Sequence, residues 1–150
     1  MATTASWYGL GLLALARGDI GLARDTIRAT LHTGSYTPNL DTHDFFDDAT
    51  NELPTASGYT AGGVTLAGLA LYYDATSGQV RWRFTAPSWT FTTGVTFQRL
   101  VVRKARGGAA SADELVGVVS WDVAQTVSGA WSPTLDASVD ALLAIRRTLT

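Results

Sequence analysis

The sequence predicts one mainly β domain, an antiparallel β-sandwich or barrel-like fold with a short N-terminal helix. Several segments alternate apolar and polar residues with the period of a half-buried strand. They recur at intervals of roughly 8–12 residues and are separated by turns rich in Gly, Thr and Ser, as in sandwiches and barrels. The 150 residues contain no internal repeat, long linker or break in composition, so a single domain over residues 1–150 is expected.

The apolar run at residues 7–16 (WYGLGLLALA) predicts the short N-terminal helix. Gly18 lies where a C-terminal cap is expected. Gly9 and Gly11 each weaken a helix by about 1 kcal/mol relative to Ala, so a strand remains the alternative. No basic residue precedes the run, and it is far shorter than the roughly 20 residues needed to span a bilayer, so we expect neither a signal peptide nor membrane association.

Residues 25–66 are the most distinctive stretch of the chain. Residues 25–33 alternate as a half-buried strand, with Ile27, Ala29 and Leu31 on one face. A loop follows at residues 34–41. Residues 42–49 (THDFFDDA) predict one or two helical turns, capped by Asp41 or Thr42 and with Phe45 and Phe46 turned inward.

Residues 64–74 and 79–85 predict a β-hairpin around a turn at residues 75–78. Gly68 interrupts the first strand and suggests a bulge. In the second strand, alternation places three residues on the core-facing side and two arginines on the other. The inward residues are Val80, Trp82 and Phe84, and the outward ones are Arg81 and Arg83.

The second half of the chain predicts further strands. Trp89 and Phe91 begin one strand, and a mobile surface connection is expected at residues 106–113. The other predicted strands are residues 95–104, the apolar and central residues 115–121, the short residues 130–135 led by Trp131, and residues 141–146, for which one helical turn is the alternative.

Composition limits the possible partners. Charged residues make up 16% of the chain, against about 25% in typical soluble domains. A surface poor in charge suits broad contact with other proteins, but also an ordinary Thr-rich β-domain. The net charge of −2 argues against nucleic-acid binding, which needs a basic face. The absence of cysteine excludes disulfides and thiolate metal sites.

No catalytic, cofactor-binding or metal-binding residue is predicted. The acidic residues between positions 41 and 52 lack calcium-loop spacing, so a helix cap and a solvated acidic face are expected. They are Asp41, Asp44, Asp47, Asp48 and Glu52. His32 and His43 lack a third ligand at helical or hairpin spacing, which favours a buried strand histidine and a loop histidine. Neither a nucleophile elbow nor a phosphate-binding glycine loop is present.

Four tryptophans raise a second functional hypothesis. Exposed indole rings at Trp82, Trp89, Trp121 and Trp131 would suit stacking on sugars, and β-sandwiches often hold such sites. Alternating aromatic residues on strands more often face the core, which is the competing expectation.

The motifs DTIRATLHTGSYTPN, DTHDFFDDATNE and GYTAGGVTL resemble a family of small virion proteins of tailed bacteriophages, of the head-associated, decoration or minor capsid type. Residues 89–97, 100–104 and 115–122 match the family's later strands. Trp121 and the Leu- and Arg-rich residues 138–150 depart from its pattern.

The resemblance implies a non-enzymatic structural protein of the virion, assembled in the host cytoplasm. Its expected partners are the major capsid protein or other virion proteins, as a homo-oligomer or as symmetric copies on the shell. A tail or connector position and a glycan-binding sandwich on the virion surface are the alternatives. We expect the contacts to come from residues 34–48, residues 106–113 and segments near the termini.

Overall fold

The computed structural model describes residues 3–133 and 144–146. They form eight strands, one α-helix and two 3₁₀ turns. The strands are β1 (Thr3–Trp7), β2 (Ile27–His32), β3 (Val64–Thr65), β4 (Ala67–Asp74), β5 (Gln79–Thr85), β6 (Trp89–Lys104), β7 (Leu115–Trp131) and β8 (Ala144–Arg146); the helix α1 spans Gly9–Arg17, and the 3₁₀ turns span Phe46–Asp48 and Ala110–Ala112.

The described strands form two antiparallel sheets. The larger sheet has the order β1-β7-β6-β2-β3, and the smaller has the order β4-β5-β8. The chain crosses from one sheet to the other between β3 and β4, at Leu66. Neither sheet closes on itself, so the mainly β prediction is confirmed in its sandwich-like form and not as a barrel.

The N-terminal helix is confirmed, and the sequence missed the strand in front of it. Gly18 adopts the left-handed conformation, its backbone N–H donates to the carbonyl of Leu15 at 3.1 Å, and the N–H of Asp19 donates to the carbonyl of Ala14 at 2.9 Å. A Cβ at Gly11 would collide with the backbone carbonyl of Leu115. The glycine that weakens the helix therefore lets it approach β7 closely. Strand β1 has only two apolar residues, Ala5 and Trp7, too short a pattern to predict a strand, and it pairs with β7 at the sheet edge.

Strand β2 is confirmed, but its predicted half-burial is wrong. Ile27, Ala29 and Leu31 face the main core as expected. On the opposite face, Thr30 and His32 are also fully buried. The segment from residue 36 to residue 49 packs over that face of the sheet, the Thr50 carbonyl is the hydrogen-bond partner of His32, and Thr30 donates to the carbonyl of Val101 on β6.

In two places, a pair of strands predicted as separate forms one long strand in the structure. Strand β6 runs continuously through both segments predicted at residues 89–104, and β7 continues from Leu115 to Trp131. Their pairing shifts register at three places, including between Phe91 and Val95. Such irregularities bend and twist a strand without ending it. Residues 134–135 and 141–143 of the last two predicted segments lie outside the described residues, whereas β8 pairs with β5 as a strand.

The β4–β5 hairpin is confirmed, including an irregular register at Gly68, where φ is +65°. Trp82 is buried and Phe84 is half-buried, while Arg83 is exposed. Val80 shares the predicted face but is 39% exposed, whereas its neighbour Gln79 on the opposite face is 7% exposed, so burial near the tip does not follow the predicted alternation.

The large sheet carries a core on each face. The main core joins its inner face to the small sheet and includes Leu31, Trp82, Phe97 and Leu100. The second core lies on the other face, between the sheet and the segment from residue 36 to residue 49, and contains six buried side chains. They are Tyr8, Tyr36, Ala49, Val101, Leu115 and Val118. Where the sheet is buried on both faces, it holds the loops above it in place.

Candidate contact surface

The two predicted contact loops meet in one surface. The backbone N–H of Phe46 donates to the carbonyl of Asp113 at 2.9 Å, and the N–H of Leu115 donates to the carbonyl of Asp44 at 2.9 Å. Phe45 and Glu114 form an isolated antiparallel bridge beside them. We call the surface formed by residues 34–48 and 106–113 the paired-loop surface.

The predicted helical segment at residues 42–49 contains only the 3₁₀ turn Phe46–Asp48. The predicted caps are wrong, because Phe45 precedes the turn and supplies no side-chain cap. The Asn39 side chain instead accepts hydrogen bonds from the backbone N–H groups of Asp41 and Thr42. This Asx-type arrangement satisfies the backbone earlier in the loop. Phe46 is half-buried and packs on the second core, in line with its expected inward position.

A chain of aromatic hydroxyls anchors the first loop. The Tyr8 and Tyr36 hydroxyls lie 2.7 Å apart, and the Tyr36 hydroxyl lies 3.1 Å from Nδ1 of His43. The rings of Tyr36 and His43 stack, with centroids 5.9 Å apart. Burial raises the pKa of Tyr8 and of Tyr36. Both hydroxyls therefore stay protonated at neutral pH and act as structural hydrogen-bonding groups.

His32 also contacts the Tyr36 ring, with the two ring centroids 5.4 Å apart. Its Nδ1 lies 2.8 Å from the carbonyl of Thr50, which only a ring N–H can satisfy, and its Nε2 lies 2.9 Å from the Thr30 hydroxyl. Burial lowers the pKa of His32, which keeps the ring neutral. The sequence predicts a buried strand histidine here, but nothing in it shows that both histidines contact one tyrosine.

A buried ion pair fixes the second loop. The Arg103 guanidinium donates to the Asp113 carboxylate and lies over the Phe46 ring, 3.9 Å from its centroid. The other oxygen of Asp113 accepts the backbone N–H of Arg106 at 2.7 Å. Burial, followed by the nearby Arg28, lowers the pKa of Arg103. The Asp113 carboxylate thus joins the end of β6 to the start and the end of the connection at residues 106–113. These bonds fix the base of the connection, whereas composition predicts a mobile one.

Two of the acidic residues, Asp48 and Glu52, accept hydrogen bonds from nearby loop groups. Asp48 accepts the backbone N–H of Asp44 at 3.0 Å. Glu52 accepts the Tyr59 hydroxyl at 2.7 Å and the Gly62 N–H at 2.6 Å. Within residues 3–133 and 144–146, no group of three His, Cys, Asp or Glu side chains is placed to hold a metal ion.

Two surface grooves offer little chemistry. One, of about 350 Å³, lies between the end of α1 and the hairpin and has Leu15, Leu22 and Leu71 in its wall, with Arg24 as its single charged residue. The other, of about 210 Å³, is lined by small and apolar residues between Val64 and Ser88. Neither brings a nucleophile and a base together, which acid–base or covalent catalysis requires.

The tryptophans belong to the core. Trp82, Trp89 and Trp121 are buried, and Trp131 is half-buried with its ring stacked on Trp89 at 5.7 Å. Phe97 packs against Trp131 at 4.7 Å. These four rings therefore do not form the exposed stacking face that motivated the glycan hypothesis.

Comparison with models of protein families, with curated proteins and with solved structures found no match. Across the described residues, no helix has the length and apolar character needed to cross a membrane.

Proposed function

We propose that this chain is a non-enzymatic structural protein of a tailed-phage virion that decorates or completes the capsid through protein–protein contacts. The observation that carries the proposal is the paired-loop surface. Two segments more than 50 positions apart in sequence are joined by backbone hydrogen bonds and held on a doubly buried sheet. Such a surface is preorganised, so a partner loses little conformational entropy in binding it.

The chemistry of the paired-loop surface suits broad, weakly charged contact. Its exposed positions are mostly small or polar, including Ser35, Thr37 and Ser111. Arg106 is paired with Glu114, and Arg103 is buried with Asp113. Asp41 and Asp47 are exposed and form no ion pair, so a small negative charge remains on a surface that is otherwise mostly uncharged, and shape and backbone complementarity would supply most of the specificity.

The motifs that resemble the virion family each have a structural role in this region. The DTIRATL segment contains β2, which carries the second core on one face. In HDFFDD, Asp48 binds the backbone of Asp44. In GYTAGG, Gly63 has φ of +68°, and a Cβ there would collide with the carbonyl of Ala29. The motifs thus specify a loop-bearing scaffold, which supports a structural role.

The test is retention on purified phage particles. Arginine at Thr37 or at Ser111 places bulk and charge on the paired-loop surface, and we expect at least a roughly tenfold loss of binding to particles lacking the protein. Thr76→Arg, at the exposed hairpin turn, is the matched control and should bind as the wild type does. Equal retention of all three variants would refute this surface as the contact.

Two further measurements bear on position and on the type of contact. Mass spectrometry of virions gives the copy number; many copies place the chain on the shell, and a ring-sized number places it at the connector or tail. Absence from purified virions would refute the proposal. Retention should change little across a salt series, because exposed ion pairs are screened over about 8 Å at physiological ionic strength and apolar contacts are not.

A further inference from the structure

The core-facing row of the β4–β5 hairpin continues beyond the body of the domain. Leu71 pairs with Trp82 and Tyr73 pairs with Val80, so all four side chains share one face. Trp82 is 1% exposed, and its indole N–H donates to the carbonyl of Leu22 at 2.9 Å. Towards the tip, Leu71 is 46%, Tyr73 52% and Val80 39% exposed. The row of apolar side chains therefore begins in the core and ends in solvent, and no polar residue replaces them where it becomes exposed.

The opposite face of the hairpin carries its charged side chains, and there Gln79 is buried and Arg81 half-buried. Arg83 lies over the Tyr72 ring, 5.4 Å from its centroid, and Arg81 lies 3.2 Å from the Asp74 carboxylate. The charges of the hairpin are therefore on the outer face and paired within it. On this outer face Tyr72 is 37% exposed and lies against Arg83, whereas Leu71, Tyr73 and Val80 are all more exposed and lie on the side that faces the core, where a protein contact would continue the packing.

Strand β4 is also an unprotected edge. Among the described strands it lies at the end of the small sheet and spans eight residues, AGLALYYD. The strands at the other three sheet ends are shorter as described: β1 has five residues, β3 has two and β8 has three. Natural edges are usually blunted by lysine, proline or an inward charge, and β4 has none of these, with its one bulge at Gly68 near the start.

We propose that β4 pairs antiparallel with β4 of a second copy of this chain around a two-fold axis, which joins the two small sheets. Charge favours this occupant. The only charged residue of β4 is Asp74 at its end, and antiparallel pairing places it towards the neutral start of the partner strand, near Ala67. The apolar row of Leu71 and Tyr73 then lies beside the same row of the second copy. A two-fold interface requires this, because each copy contributes the same surface.

Cysteine scanning tests the pairing directly, because the chain contains no cysteine. Single cysteines at positions 69 to 73 should form intermolecular disulfides at a rate that peaks at one position beside the axis and falls on both sides. Directly opposed residues in antiparallel strands lie about 4.5–5.5 Å apart, within the Cα range of a disulfide. Val123→Cys, at an exposed site on β7, is the control. If no β4 position cross-links faster than the control, the proposal is wrong.

Sedimentation of the full chain gives an independent measurement. Tyr73→Lys should weaken dimerisation at least about tenfold, while Val123→Lys leaves it unchanged and circular dichroism shows both variants folded. A wild-type chain that stays monomeric at a concentration on the order of 100 µM would overturn the proposal. A different protein bound at β4 in place of the second copy would overturn it too. The proposal is independent of the virion role, since a dimer that fails to bind particles refutes only that role.

Discussion

Replacing Trp82 with alanine tests how the hairpin packs on the rest of the domain. The indole is 1% exposed, lies 4.7 Å from the Phe84 ring and donates to the carbonyl of Leu22. It is therefore a link between the small sheet and the segment that follows α1. Removing it leaves a cavity in the main core and a buried carbonyl without its donor.

The expected loss of unfolding free energy is about 3–5 kcal/mol, the usual range for truncating a buried aromatic side chain. Trp82→Phe keeps most of the apolar volume and loses the indole N–H, so it should cost about 1–2 kcal/mol. Arg83 is the next residue along the strand and lies on the exposed face. Arg83→Ala should lower the free energy of unfolding by no more than about 1 kcal/mol, the value of an exposed cation–π contact.

Urea unfolding followed by far-UV circular dichroism measures these losses without relying on tryptophan fluorescence. The slope of free energy against urea should stay constant, so that a change in midpoint reports stability alone. A loss below about 1 kcal/mol for Trp82→Ala would mean that the core-facing side of the strand has been misassigned. An equal loss for Arg83→Ala would lead to the same conclusion.

Three further outcomes are expected. Stability should fall as the pH drops below about 6.5, because burial lowers the pKa of His32 and the unfolded chain then binds the proton more readily; thermal melts of His32→Gln should lose this part of the pH dependence. Asp113→Ala should cost about 3–5 kcal/mol in urea unfolding, since it leaves Arg103 buried without its carboxylate, whereas the exposed Asp47→Ala should cost under about 0.5 kcal/mol. Melting temperatures with and without EDTA should coincide, and a drop of several degrees on chelation would contradict the prediction of no required metal.

Local pattern determined the elements whose signal lies within a few residues. Period-2 alternation identified β2 and the β4–β5 hairpin, because the side chains of a strand alternate between its faces. Gly18 marked the end of α1, because glycine adopts the left-handed cap without steric cost. The motif at residues 42–49 correctly marked a turn with Phe46 inward, but not its 3₁₀ form or its cap.

Tertiary contacts decided which polar side chains are buried and which strands pair, and the alternation of the sequence carries no signal for either. A polar side chain reads as exposed in sequence, yet Thr30 and His32 are buried because Thr50 and other distant groups satisfy them. Strand β1, which pairs with β7, has too short an apolar pattern to predict a strand, and breaks in local pattern hid the continuity of β6.

The contact surface itself could be predicted only in part. Composition and turn residues identified the two loops, residues 34–48 and 106–113, as exposed connections. Their meeting depends on the bonds between Phe46 and Asp113 and between Asp44 and Leu115, which form only when β2, β6 and β7 lie side by side. Sequence separation carries no information about such distances, because the sheet brings the loops together after the strands have paired.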